Sequence, residues 1–213
     1  MTKIVIQCAG TKNENAGRLV SPDGRPVEFV ASPERLDSRE RIYARPDERR
    51  YDGITWREFL TLYNADGTNP QGLLPAYRLY KNDVYERLVD TCGAENVYIL
   101  SAGWGLIGAR FLTPYYNITF SQNARPEYRR RKSDTYRDFC MLPKVDDDAF
   151  VFFGGKDYVA LFCALTKSVT GTRTVYFNAA TPPDAPGCRL VQFNTRTKTN
   201  WHYECANRFI ETV

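Results

Sequence analysis

Three glycine-bearing stretches of this chain each follow an apolar run, and each carries groups able to hold or react with a ligand. The first is Gln7-Cys8-Ala9-Gly10-Thr11-Lys12-Asn13. Gly10 allows close backbone approach beside a hydroxyl, an amide and a cation. The loop lacks the GxxxxGK[ST] spacing of a phosphate cradle, and an ordinary turn with a surface lysine accounts for it equally well. The second is Ser101-Ala102-Gly103-Trp104-Gly105-Leu106-Ile107, followed by Thr113-Pro114-Tyr115-Tyr116-Asn117. Trp104, held between glycines, can stack on a planar ligand or plug the end of the core. Asn117 can orient a water, read a base edge or merely close a turn. The third is Phe153-Gly154-Gly155-Lys156-Asp157-Tyr158, where helix-terminal amides and Lys156 can face an anion. Asp157 either complements the helix dipole or does chemistry. His202, the only histidine, is the natural acid–base group near neutral pH. Its place beside Trp201 and Cys205 equally suits a buried packing role.

Charge is unevenly spread. Residues 125–144 hold Arg125, Arg129, Arg130, Arg131, Lys132, Arg137 and Lys144 against Glu127, Asp134 and Asp138. Seven minus three gives +4, equal to the net charge of the whole chain, so the remainder is balanced. Within RPEYRRRKSDTYR the arginines alternate with Tyr128 and Tyr136. That is the composition of a nucleic-acid contact, cations for phosphates and rings for stacking, although a charge run is also what a solvated face looks like.

The elements that must position these loops read as follows. Lys3–Gln7, Val97–Ser101, Ala149–Phe153, Thr174–Phe177 and Arg189–Phe193 are strands, and Val27–Val30 is a short edge strand. Thr55–Tyr63 is a helix with the capping-box pair Thr55 and Glu58. Pro75–Thr91 is a second helix, stopped by Gly93, and helices follow over about 156–167 and 199–211. Continuously apolar strands separated by helices predict an α/β fold, a mainly parallel sheet with helices on both faces. In such a sheet ligands bind at the carboxyl edge, where all three loops emerge. The whole of 1–213 reads as one domain, with a charged, solvated and mobile excursion at about 12–53.

Hydrophobic residues make up 43% of the chain, enough for a substantial core. The six cysteines form no CxxC pair, and with one histidine a zinc site is not expected. Unpaired thiols, the lack of a secretory leader and the lack of a membrane-length apolar run predict a cytoplasmic protein off the membrane. No cofactor is expected, and the protein is expected to act as a monomer.

Taken together, strand-then-CAGTK, LSAGWGLIGARFLTPYYNITFS and FFGGKDY resemble the YaaA-like group and its short relatives. The likeness spans residues 3–160 and rests on about thirty of them. It implies a fold related to parts of DNA glycosylases, and double-stranded, modified phage DNA as partner. Some relatives resemble phage-defence glycosylases that excise hypermodified, for example glucosylated, cytosine to leave abasic sites. Under that reading Gln7, Gly10, Thr11, Lys12, Ser101, Gly103, Trp104, Tyr115 and Tyr158 form the base pocket. Arg125, Arg129, Arg130, Arg131, Lys132 and Lys156 hold the DNA. Asp157 and Asn117 position water, and His202 or Lys12 assists the departing base. A covalent lysine route is disfavoured because Lys12 and Lys156 lie in loops that read as open to solvent. A non-catalytic DNA-binding stress protein, an enzyme of free nucleosides or nucleotides and an interaction module remain alternatives.

Overall fold

A computed structural model describes residues 2–143 and 147–212. Lys144, counted in the basic stretch, lies outside them. In chain order the strands are β1 (Thr2–Gln7), β2 (Val27–Val30), β3 (Ile42–Ala44), β4 (Leu74–Pro75), β5 (Val97–Ser101), β6 (Gly105–Gly108), β7 (Leu112–Thr113), β8 (Tyr116–Asn117), β9 (Phe139–Cys140), β10 (Ala149–Phe153), β11 (Arg173–Phe177) and β12 (Arg189–Gln192). The α-helices are α1 (Trp56–Asp66), α2 (Ala76–Leu79), α3 (Val84–Cys92), α4 (Lys156–Leu165) and α5 (Trp201–Ile210).

Seven strands form the central sheet in the order β12-β11-β10-β1-β5-β6-β9. The five from β12 to β5 run parallel; β6 turns back antiparallel on β5, and β9 follows β6 in parallel. The alternating side chains of β10 reveal the layers. Phe152 stacks on Phe162 of α4 at 4.7 Å, whereas Phe153 meets Phe209 of α5 at 5.5 Å. Helix α5 also packs on α3 through Tyr203 and Tyr85. The sheet is therefore covered on both faces, which is why Ile4, Val5 and Ile6 of β1 are all buried. Each such side chain contributes roughly 1.5–3 kcal/mol by leaving water.

Helix α1 carries the full capping box: Glu58 N donates to the Thr55 hydroxyl and Thr55 N to the Glu58 carboxylate. Other expectations need correction. The helix read over 75–91 is broken into α2 and α3, because Tyr80 is extended (φ −103°, ψ 143°) and bridges Lys12. Asn82 then accepts from Val84 N and restarts the helix. The polar excursion is folded. Leu19, Phe29 and Ala31 are buried, and β2 is the centre of a three-stranded sheet, β3-β2-β8, where an edge strand was expected.

The loop after β5 is a hairpin into β6. Gly105 sits at φ +88°, and a Cβ there would lie 2.5 Å from the Phe139 carbonyl, so only glycine lets β9 close against the turn. Two buried guanidiniums fix the same turn. Arg57 donates to the Gly103 and Trp104 carbonyls, and Arg130 donates to that of Ala102.

Candidate functional site: a buried lysine–tyrosine cluster beside a basic groove

The carboxyl ends of β1 and β5 and the start of α4 bring together side chains from all three loops. Cys8 Sγ lies 3.2 Å from the Tyr158 hydroxyl. The Ser101 hydroxyl donates to Tyr116 Oη at 2.9 Å and accepts from the amides of Gly103 and Trp104. The Tyr80 and Tyr116 hydroxyls are 2.9 Å apart, so a continuous hydrogen-bonded path runs from Tyr80 through Tyr116 and Ser101 to the hairpin backbone. Burial pushes the Tyr80, Tyr116 and Tyr158 hydroxyls well above the usual phenol range. They stay protonated and can donate.

Lys12 stands among these rings. Its amine lies 4.1 Å from the centre of the Tyr116 ring and 5.9 and 5.8 Å from those of Tyr80 and Tyr115. Its hydrogen bond is a long one, 3.5 Å to the Gly10 carbonyl. Among the described residues no carboxylate is within ion-pair distance. Desolvation lowers the amine from 10.5 to about 8, opposed only by the Cys8 thiol. Lys12 is thus 6% exposed and not open to solvent, which removes the ground on which a covalent amine route was disfavoured.

Phe120 joins the cluster to a groove. Its ring is 5.0 Å from Tyr158 on one side. On the other it lines two adjoining hollows, about 170 and 340 Å³, both walled by Arg130, Arg131, Lys132 and Asp157, with Arg129 added in the larger. Lys132 Nζ lies 3.9 Å from Asp157, whose side chain is part-exposed. The basic segment and Asp157, separate in sequence, therefore share one surface.

Several expected site residues lie elsewhere or are otherwise engaged. Trp104 is fully buried, 4.9 Å from Phe29 and 6.4 Å from Phe139, and it plugs the core. Arg130 is buried in a bidentate pair with Asp138 at 2.8 and 2.6 Å, so it braces the wall of the groove that it also lines. Arg125 is paired with Glu127. Asn117 donates to Glu28 in the small sheet, 2.7 Å away, and so does not join Asp157. The Gln7 side chain accepts from Gly155 N at 2.6 Å, which occupies the amide expected to face an anion. Lys156 is exposed on the first turn of α4, outside the groove lining, and Gly10 and Thr11 are exposed on the loop carrying Lys12. Tyr115 is half-buried under the Arg18 guanidinium, and Gly103 packs on Tyr116.

His202 is buried between Trp201 and Tyr203, and among the described residues its Nε2 has no partner. Burial lowers its pKa to about 4, so it is neutral at pH 7 and unsuited to donate a proton. Cys8, Tyr80 and Tyr116 are members of the cluster that the sequence reading passed over.

A larger hollow of about 410 Å³ lies between the Ser21–Arg25 turn and residues 42–56, but none of the strand-end loops lines it. Among the described residues no three His, Cys, Asp or Glu side chains gather closely enough to hold a metal ion. None of the described helices is long and apolar enough to cross a membrane. The chain matches no family model, no curated protein and no solved structure.

Proposed function

We propose that the chain is a DNA glycosylase that excises a modified base, such as a glucosylated cytosine of phage DNA, to leave an abasic site. The observation that carries this reading is that Phe120 packs on Tyr158 of the buried Lys12–Tyr116–Tyr158 cluster and also lines the groove that holds both Asp157 and the exposed cations. An extrahelical nucleotide needs a dry pocket of rings and donors, and a charged rim for its phosphates. The loops that resemble the YaaA-like group supply the rings and donors, and the basic segment 125–137 supplies the rim.

In the hydrolytic step Asp157 accepts a proton from a water as its oxygen attacks the sugar C1′, and the C1′–N bond breaks toward the base. Lys12, still largely protonated at neutral pH with a pKa of about 8, gives the departing base its proton. The buried tyrosine hydroxyls donate hydrogen bonds to base oxygens in a site of low dielectric, where such bonds are strongest.

The test is mass spectrometry of bases released from unmodified and hypermodified phage DNA. Release of the modified base from the second substrate alone is expected. Binding of both DNAs with no base released from either would overturn the reading and leave a non-catalytic DNA-binding protein.

A further inference from the structure

We propose that Cys163 and Cys188 are an oxidisable pair: peroxide converts their thiols into a disulfide that staples the loop before β12 onto α4 and holds that edge strand in place. The inference stands apart from the reading above, since neither residue lines the groove.

The two residues are 25 positions apart in the chain, Cys163 on α4 and Cys188 immediately before β12, yet their sulfurs lie 3.8 Å from one another. Both thiols are free. Their meeting is built into the fold by Arg173 of β11. One end of its guanidinium donates to the Thr166 hydroxyl at the end of α4, at 3.4 Å, and the other to the Pro186 and Gly187 carbonyls, at 3.2 and 3.3 Å. Gly187 sits at φ +70°, and a Cβ there would lie 2.6 Å from that guanidinium, so only glycine lets the turn close on Arg173. Cys188 N completes the turn by donating to the Ala185 carbonyl. One cation thus clamps both cysteine-bearing segments. A disulfide needs the sulfurs to close to about 2.0 Å, an approach within reach of side-chain rotation at a loop residue.

The two thiols differ in access. Cys163 is buried, and burial and the neighbouring sulfur push its thiol up, so it stays protonated. Cys188 is half-buried among exposed loop residues and is the one that meets the oxidant. Its thiolate attacks a peroxide oxygen, the O–O bond breaks, and Cys188 becomes a sulfenic acid. The hydroxide released takes the proton of Cys163 and leaves as water. The Cys163 thiolate then attacks the Cys188 sulfur; the S–S bond forms, the S–O bond breaks, and the departing hydroxide is protonated by solvent. Two thiols lose two electrons and one hydrogen peroxide becomes two waters.

The strand so secured is weakly held. β12 lies at the edge of the central sheet, bonded to β11 alone, and three of its four residues are exposed. Such an edge opens at small cost, and a cross-link at its first residue's neighbour removes openings in which loop and strand peel away together.

The experiment treats the full chain with hydrogen peroxide, removes the excess, and compares it with the protein kept in dithiothreitol. Free thiols titrated in urea should fall from six to four. A non-reducing peptide map should join Cys163 to Cys188 with the loss of two hydrogens, and dithiothreitol should restore both thiols. Trypsin cleavage of the native protein after the exposed Arg189 should slow roughly tenfold on oxidation. Cys163→Ser and Cys188→Ser, each folded by thermal melt, should show neither the cross-link nor the slowing. Six thiols remaining, a disulfide between other cysteines, or Cys188 ending as a sulfinic acid overturns the pairing. Cleavage after Arg189 at an unchanged rate in the cross-linked protein overturns the role given to the staple.

Discussion

Replacing Lys12 with methionine should stabilise the protein at neutral pH while abolishing its chemistry. The lowering of the amine from 10.5 to about 8 measures how much the fold disfavours the charged form. At roughly 1.4 kcal/mol per pH unit that is about 3 kcal/mol. Methionine fills similar space with no charge, but it forfeits the attraction of the ammonium for the Tyr116 ring, about 0.5–2 kcal/mol. The net gain expected at pH 7 is therefore about 1–2.5 kcal/mol. Its pH dependence has a fixed sign. Between pH 8 and 10.5 the unfolded chain still binds a proton that the folded amine has lost, so parent stability rises with pH across that window. Below pH 8 the full penalty is present, and the variant's advantage should be constant there. Above pH 8 the advantage should shrink by roughly 1.4 kcal/mol per pH unit, vanishing between about pH 9 and 10. Urea unfolding of both proteins at pH 7, 8.5 and 9.5 reads this directly. A methionine variant less stable than the parent at pH 7, or an advantage that does not shrink with pH, would mean that Lys12 is a comfortable structural cation, and the chemistry assigned to it would fall.

The groove cations can be separated by role. Arg129, Arg131 and Lys132 changed together to Ala should weaken duplex binding and reduce the salt slope by about three, with folding intact. Arg130→Ala should instead destabilise by about 3–5 kcal/mol, because it leaves the buried Asp138 unpaired. Trp104→Ala should cost about 3–5 kcal/mol in a denaturant melt, and a loss of activity with stability unchanged would contradict its place in the core. His202 binds its proton near pH 6.5 when unfolded but only near 4 when folded, so stability should fall as pH drops through that interval, by about 3 kcal/mol at most. His202→Phe should flatten that fall in melts at pH 7, 5.5 and 4.5. Asp157→Asn should abolish base release and leave duplex binding within a few-fold; full activity would remove Asp157 from the water-positioning role.

What the sequence disclosed follows from how local each feature is. The strands β5 and β10 and the α1 capping box are written in contiguous residues, so pattern and capping chemistry found them. The carboxyl edge followed from the parallel order, and Lys12, Ser101 and Tyr158 do meet there. The errors concern direction and pairing, which adjacent residues do not encode. Tyr115 and Tyr116 look alike in sequence, but the two-residue β8 puts Tyr116 into the cluster and leaves Tyr115 half-buried under Arg18. Asn82-Asp83 was a legible helix-start signal inside an apparently continuous helical face. Heeding it would have released Tyr80 from that face and brought it to Lys12. Arg130 is one of three successive arginines, and nothing local says that its partner is Asp138, eight residues on. Lys12 was misjudged for the same reason: a glycine loop reads as exposed, while the rings that bury its amine come from residues 80, 115 and 116. Lys12, given a part in base departure but denied a covalent one on solvent-exposure grounds, is thus a residue whose surroundings depend on distant chain. Its burial without a counter-charge is the feature of this site that packing alone explains least.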